Sequence, residues 1–191
     1  MSSSALPQVK CRRHQEEDED AQHVVRRGYE HADRHGRIET QLVQQDGNGR
    51  ADHCGQGRDA LFIARLGHSV VGVDLSPHGV RGMVEAAGRE NLSIEGVAAA
   101  IRTFIPEGEF DILLLDRTLH MLLEKDRLMA LKRLVSSVAS GGWVLIEDEP
   151  SNMQGFKDVF AFTNGAWGIE LDKPETLFVR QFGRQKQLAA K

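Results

Sequence analysis

The stretch CGQGRDALFIARLGHSVVGVD, residues 54–74, decides the fold class of this chain. A glycine-rich turn opens an amphipathic segment from Arg58 to Leu66, which ends at Gly67, and a β-branched run from Ser69 to Asp74 follows at once. Glycine is a common residue at a helix end, and a β-branched run of this length is typical of a buried parallel strand. The stretch therefore predicts a helix followed by a strand in an α/β fold.

The alternation of helical and strand-like patterns continues downstream to residue 182. Ser76 and Pro77 are typical of a helix start, so we predict a helix from there to Gly88 and another from about Lys125 to Ala139. The predicted strands lie around Ser93–Ala99, at Phe110–Asp116 and Trp143–Glu147, and in a C-terminal pair, Trp167–Leu171 and Thr176–Phe182. We expect a mostly parallel sheet that is covered by helices and has an antiparallel C-terminal strand.

The first 53 residues differ in composition from the rest. They contain 14 hydrophobic residues, five of the eight histidines and an acidic run from Glu16 to Asp20. Such a segment buries little apolar surface. We therefore predict that residues 1–53 are disordered or peripheral, that residues 54–183 form one domain, and that residues 184–191 form a flexible tail.

Overall composition excludes several classes of protein. The formal net charge of −4 provides no general attraction for nucleic acid, and the apolar runs are shorter than the roughly 20 residues of a membrane span. Cys11 and Cys54 are too few for a disulfide framework, and they lack the companion ligands of a metal site. We expect a cytoplasmic protein whose partner is a small molecule, with no nucleic acid, membrane or metal; the sequence leaves its oligomeric state open.

Gly55, Gly57 and Asp74 point to nucleoside binding. The two glycines allow the backbone at the start of a helix to approach a ligand closely. Asp74 ends the next strand, where a carboxylate can accept hydrogen bonds from both ribose hydroxyls. Because the acidic residue follows the glycines at the spacing of nucleotide-binding folds, we expect a nucleoside or dinucleotide site here.

Three stretches together resemble one family. CGQGRDALFIARLGHSVVGVDLSP, FDILLLDRTLHML and GGWVLIEDEP are similar, in this order, to the first, fourth and fifth strand regions of class I, Rossmann-like S-adenosylmethionine-dependent methyltransferases, especially the small-molecule enzymes of the tellurite-resistance and thiopurine type. The resemblance implies S-adenosyl-L-methionine as cofactor and a small-molecule methyl acceptor. It also implies that Gly55 and Gly57 face the methionine part of the cofactor, Asp74 its ribose and Leu75 its adenine.

The resemblance further implies catalytic candidates after the fourth strand. Asp116 and His120 occupy the region that lines the methyl-transfer pocket in the family. If the acceptor must lose a proton, His120 is the candidate base, because imidazole titrates near neutral pH. The alternative roles are a helix cap or a partner of Arg117 for Asp116, and a partly exposed surface position for His120.

The chain departs from the family pattern just before Cys54. The family has an apolar strand there that ends in an acidic residue and a glycine, whereas this chain has NGRADH, with Ala51 and His53 at those two positions. Ala100 stands where an acidic residue often contacts the adenine amino group. We therefore predict that the first strand of the sheet is atypical or missing.

Two other functions remain open from the sequence. A nicotinamide-dependent oxidoreductase would also use Gly55, Gly57, Ala60 and Asp74, although the LLLDRTLHML segment and the C-terminal strand pair argue against it. The departure before Cys54 leaves room for a non-catalytic methyltransferase-like remnant with weakened cofactor binding.

Overall fold

The computed structural model describes residues 39–43, 57–163 and 165–183. The strands are β1 Glu39–Val43, β2 Ser69–Asp74, β3 Ile94–Ala98, β4 Phe110–Asp116, β5 Val138–Glu147, β6 Ala166–Asp172 and β7 Thr176–Gly183. The helices in these described ranges are α1 Arg58–Arg65, α2 Pro77–Glu90, α3 Glu124–Leu134 and α4 Met153–Phe162. The strands form one sheet in the order β3-β2-β1-β4-β5-β7-β6. Strands β1 to β5 pair in parallel, and β7 is antiparallel to both of its neighbours. The α/β expectation and the antiparallel C-terminal strand are confirmed.

The central strand, β1, lies in the N-terminal segment that precedes the predicted domain. Glu39–Val43 pair in parallel with β2 on one side and β4 on the other. The sheet thus begins at residue 39, upstream of the predicted domain boundary at residue 54, and the first strand is atypical rather than missing. Five residues with a weak apolar pattern carry no clear sequence signal, but their backbone amides and carbonyls can still pair on both sides.

Several element ends differ from the predicted ones. Helix α2 passes Gly88 and ends at Glu90, and it is capped by Asn91, which adopts a left-handed conformation with φ 54°. Helix α3 ends at Leu134, and β5 begins at Val138, so Gly141 and Gly142 lie inside a strand instead of ending a helix. Helix α4 was not among the predicted elements. Its Met153, Phe156 and Phe160 are buried. Tertiary packing therefore outweighed local propensity in setting where these elements begin and end.

Two apolar layers hold the sheet between helices. On one face, Leu131 and Leu134 of α3 and Phe156 of α4 pack with buried strand residues. On the other face, Ile63 of α1 and Met83 of α2 do the same. Burying each of these side chains contributes roughly 1.5–3 kcal/mol, which compensates for the entropy lost by ordering the chain. No helix in the described part of the chain is long and apolar enough to cross a membrane.

The sheet order places a crevice at the carboxyl ends of its central strands. The connections run from β1 outward to β2 and β3, and then return to β4 on the other side of β1. In open α/β sheets, ligands bind where the strand order reverses in this way. Strand β2 ends at Asp74, β4 at Asp116 and β5 at Glu147, so three acidic residues lie along this edge.

Candidate functional site

Gly57 begins α1 in a conformation that favours glycine. Its φ is 74°, in the left-handed region. A Cβ added there would lie 2.4 Å from Cγ of Met83, so a larger residue would need both strain and repacking. Gly57 and Asp74 line the same narrow cleft, together with Gly79. The structure therefore brings Gly57 and the predicted ribose-binding carboxylate together. Gly55 lies outside the described residues.

Asp74 is held at the end of β2 by its own loop. The residue is 7 % exposed, and its Oδ1 accepts a hydrogen bond of 2.7 Å from the backbone N–H of Ser76. Ser76 in turn caps α2 by accepting a 3.2 Å hydrogen bond from the N–H of Gly79. Leu75, between them, is 45 % exposed. This loop therefore presents an apolar side chain next to a fixed carboxylate.

Asp116 belongs to a cluster of charged groups. Burial, with smaller contributions from the nearby carboxylates of Asp59 and Glu147, raises the pKa of its carboxyl to about 7. Asp116 also shares a hydrogen bond with Asp59, which comes from the first turn of α1, whereas the Arg58 guanidinium has a smaller opposing effect. Near neutral pH, Asp116 therefore exists in both protonated and ionised forms.

Two details of this cluster concern ligand binding. Oδ1 of Asp116 is buried and makes no hydrogen bond within the described part of the chain, so a bound molecule could satisfy it. Asp59 is only 1 % exposed, and the Nε of Arg58 lies 3.0 Å from its Oδ1. The cluster thus links the start of α1 to the end of β4. Asp59 was not among the site residues predicted from the sequence, and the structure places it beside Asp116.

His120 lies in a 3-10 turn, Leu119–Met121, shortly after β4. Its side chain is 22 % exposed, so the ring is accessible from solvent. The backbone N–H of His120 donates a 3.0 Å hydrogen bond to Oδ2 of Asp148, which follows β5. The structure thus joins His120 to Asp148, and Asp116 to Asp59. In the sequence, the only sign that Asp148 lies near His120 is its position directly after a predicted strand.

The family comparison gives one match. A family of methyltransferase domains matches residues 53–142, which include the glycine turn, Asp74, Asp116 and His120.

Solved structures with the same fold include a methyltransferase, a methylase and the protein TehB. Magnesium protoporphyrin IX methyltransferase from Synechocystis PCC 6803, solved with bound S-adenosylmethionine, is 11 % identical, with a TM-score of 0.64 over 94 % of this chain and 86 % of that one. The ribosomal protein L11 methylase of Lactobacillus delbrueckii subsp. bulgaricus is 17 % identical, with a TM-score of 0.62 over 87 % and 79 % of the two chains. TehB from Haemophilus influenzae is 18 % identical, with a TM-score of 0.56 over 81 % and 61 %. At these identities the structures establish the fold, which is the Rossmann-like fold expected from the sequence.

Proposed function

We propose that this chain, which carries a methyltransferase domain in the class I fold, transfers the methyl group of S-adenosylmethionine to a small-molecule acceptor. The domain accounts for methyl transfer and for S-adenosylmethionine as the cofactor. One observation supports the assignment of individual residues. Asp74 and Asp116 end strands on either side of β1, so the predicted cofactor and acceptor residues meet at one edge of the sheet.

The described residues fit this cofactor. Gly57 has the left-handed backbone that a close approach at a helix start requires. In the proposal, Gly57 and Gly55 admit the methionine part, Asp74 accepts hydrogen bonds from the ribose hydroxyls, and Leu75 packs against the adenine. The 45 % exposure of Leu75 leaves apolar surface for that contact.

The reaction requires alignment more than a strong base. S-adenosylmethionine supplies a methyl group on a positively charged sulfur that is already a good leaving group. The protein therefore has to orient the acceptor and exclude water. We assign the orientation to Asp116, whose protonated carboxyl can donate a hydrogen bond, and the removal of a proton from the acceptor to His120.

The acidity of the site favours a small acceptor over nucleic acid. Asp116, Asp59 and Glu147 are close enough to influence one another, and the chain has a formal net charge of −4. A phosphate backbone would find no general electrostatic attraction in a chain of this net charge. The proposal also places the protein in the cytoplasm, and the low number of cysteines agrees with a reducing compartment.

Calorimetric titration with S-adenosylhomocysteine, the reaction product, tests the function first, with NADH as the control ligand. We expect binding of the product and none of NADH. Binding of NADH alone would instead support the oxidoreductase, and a folded protein that binds neither ligand would support a non-catalytic remnant.

A second measurement tests the acceptor class. The protein is incubated with S-adenosylmethionine that carries a radioactive methyl group, together with either the dialysable or the macromolecular fraction of a cell extract. Label in the dialysable fraction is the expected result. Label confined to protein or RNA would refute a small-molecule acceptor.

A further inference from the structure

A buried carboxylate lies close to the ring of His120. The Asp148 side chain is 1 % exposed, and its Oδ2 lies 4.0 Å from Nδ1 of His120. The same oxygen accepts the 3.0 Å hydrogen bond from the backbone N–H of His120. One carboxylate oxygen therefore accepts a hydrogen bond from the main chain of His120 and lies 4.0 Å from Nδ1 of its ring.

The other oxygen of Asp148 is held by its own loop. Oδ1 accepts hydrogen bonds from the backbone N–H of Glu149 at 2.8 Å and from Nδ2 of Asn152 at 2.7 Å. Burying a charged carboxylate is costly unless hydrogen bonds satisfy it, and this one has three. Asp148 is therefore fixed in place as well as buried.

Arg127 extends the same network to α3. Its Nη1 donates to Oδ1 of Asn152, and its Nη2 donates a 2.9 Å hydrogen bond to the carbonyl of Leu122. The Asn152 amide thus donates to Asp148 with its nitrogen while its oxygen accepts from Arg127. This pairing fixes the orientation of the amide, and through it the position of the carboxylate.

We infer that Asp148 is a positioning residue that keeps the proton of neutral His120 on Nδ1 and so leaves Nε2 free to accept a proton. The nitrogen that carries the proton in a neutral imidazole is set by the partner of each nitrogen. A carboxylate attracts an N–H and repels a lone pair, so Oδ2 of Asp148 favours the proton on the nearer nitrogen. The opposite nitrogen then presents its lone pair.

This arrangement also limits the class of methyl acceptor. The limit rests on the proposed function, methyl transfer from S-adenosylmethionine. A free Nε2 suits an acceptor with an O–H, N–H or S–H group. Such an acceptor gives its proton to Nε2 while its lone pair forms the bond to the methyl carbon. The sulfonium sulfur keeps the electron pair of the broken carbon–sulfur bond. Acceptors without a proton to lose, such as thioethers, make no use of this base.

Nitrogen-15 NMR of the full chain tests the inference without an acceptor. Spectra are recorded without ligand at about pH 9, where imidazole is usually neutral. Comparison with a His120→Gln variant identifies the His120 signals. We expect the wild-type ring to carry its proton on Nδ1. The Asp148→Asn variant should shift the ratio of the two tautomers toward Nε2–H, on the order of tenfold, because the charge is lost.

Glu149→Gln is the matched control. It removes the same charge one residue later from an exposed side chain and should leave the tautomer ratio unchanged. Wild-type His120 with its proton on Nε2 would overturn the inference, even if Asp148→Asn does not fold. Equal shifts in the Asp148 and Glu149 variants would also overturn it.

The outcome is separable from that of the proposed function. The tautomer is measured without a cofactor, whereas titration with S-adenosylhomocysteine reports on the cofactor site alone. If the protein transfers methyl groups, Asp148→Asn should lower kcat and leave KM for S-adenosylmethionine unchanged, because Asp148 acts on the base. A change confined to that KM would contradict the positioning role.

Discussion

Single residues at the sheet edge have environments that set their chemistry. Asp74 is held by a short hydrogen bond from Ser76 at the end of β2, whereas Asp116 is buried near Asp59 and Glu147 at the end of β4. Two carboxyl groups at one edge of a sheet thus differ in the charges around them. The first suits hydroxyl binding and the second suits a proton-donating contact near neutral pH.

Asp74→Asn should weaken binding of S-adenosylhomocysteine. The amide keeps one acceptor oxygen, but it loses the charge that strengthens hydrogen bonds from the ribose hydroxyls. We expect a loss of roughly 10–100-fold in affinity. Calorimetry measures it, and Ser69→Ala, at the opposite end of β2, is the comparison variant. Unchanged affinity in Asp74→Asn would exclude the carboxylate from the cofactor site.

Asp116 should make stability depend on pH. Its pKa is raised in the folded protein to about 7, so the folded state binds the proton more tightly than the unfolded chain. The resulting stabilisation is complete below about pH 4 and disappears as the pH rises through 7. Urea unfolding across this range should therefore show that Asp116→Asn becomes more stable than wild type as the pH rises, by roughly 2–4 kcal/mol in total. A constant difference between the two proteins would contradict the raised pKa.

At the scale of elements, α1 joins the two halves of the site. Its first residue follows Gly57, which contacts Met83 of α2, and its first turn carries Asp59 toward Asp116. The carboxyl ends of β2 and β4 are therefore connected through one short helix. A change at its start should affect both helix packing and the carboxyl cluster.

Gly57→Ala, compared with a control variant, should separate the cost of backbone strain from the cost of overpacking. The added Cβ would lie within 3 Å of three side-chain atoms of Met83, and φ is 74°. Gly67→Ala is the matched control, because φ there is 94° but nothing lies within 4 Å. The control should lose roughly 1–2 kcal/mol of unfolding free energy through backbone strain alone.

Gly57→Ala should lose about 1–3 kcal/mol more than that control through overpacking. Chemical denaturation of both variants gives the difference. If the two variants lose the same unfolding free energy, overpacking against Met83 does not contribute to the loss. In a Met83→Ala background, whose own loss of a buried side chain is measured separately, Gly57→Ala should cost only the strain part, as Gly67→Ala does.

At the scale of the whole molecule, the sheet depends on β1. This strand pairs through its backbone with β2 and β4, and those strands carry Asp74 and Asp116 at their ends. Its position in the centre makes it the element that sets the spacing between the predicted cofactor and acceptor residues.

Gln41→Pro should unfold the protein or destabilise it by at least roughly 3 kcal/mol, since proline cannot donate within a central strand. The comparison is Glu170→Pro, which lies at an irregularity of the edge strand β6 and should cost much less. Thermal unfolding measures both. A Gln41→Pro variant as stable as wild type would show that Glu39–Val43 do not hold the centre of the sheet.

The sequence by itself determined the fold class and the order of most elements. The runs Ser69–Asp74 and Phe110–Asp116 are mostly apolar or β-branched, as buried parallel strands usually are. The structure has both strands with these bounds. The glycine turn and Asp74 could be predicted as a site because their spacing reflects the geometry of a strand, a turn and a helix.

Only the tertiary structure decided the central strand and the partners of the site residues. The pairing of Glu39–Val43 relies on backbone hydrogen bonds, which leave little trace in side-chain pattern. The contacts of Asp116 with Asp59, and of His120 with Asp148, join residues from different elements. Such contacts depend on how strands are ordered in the sheet, and strand order is set by the packing of the whole chain.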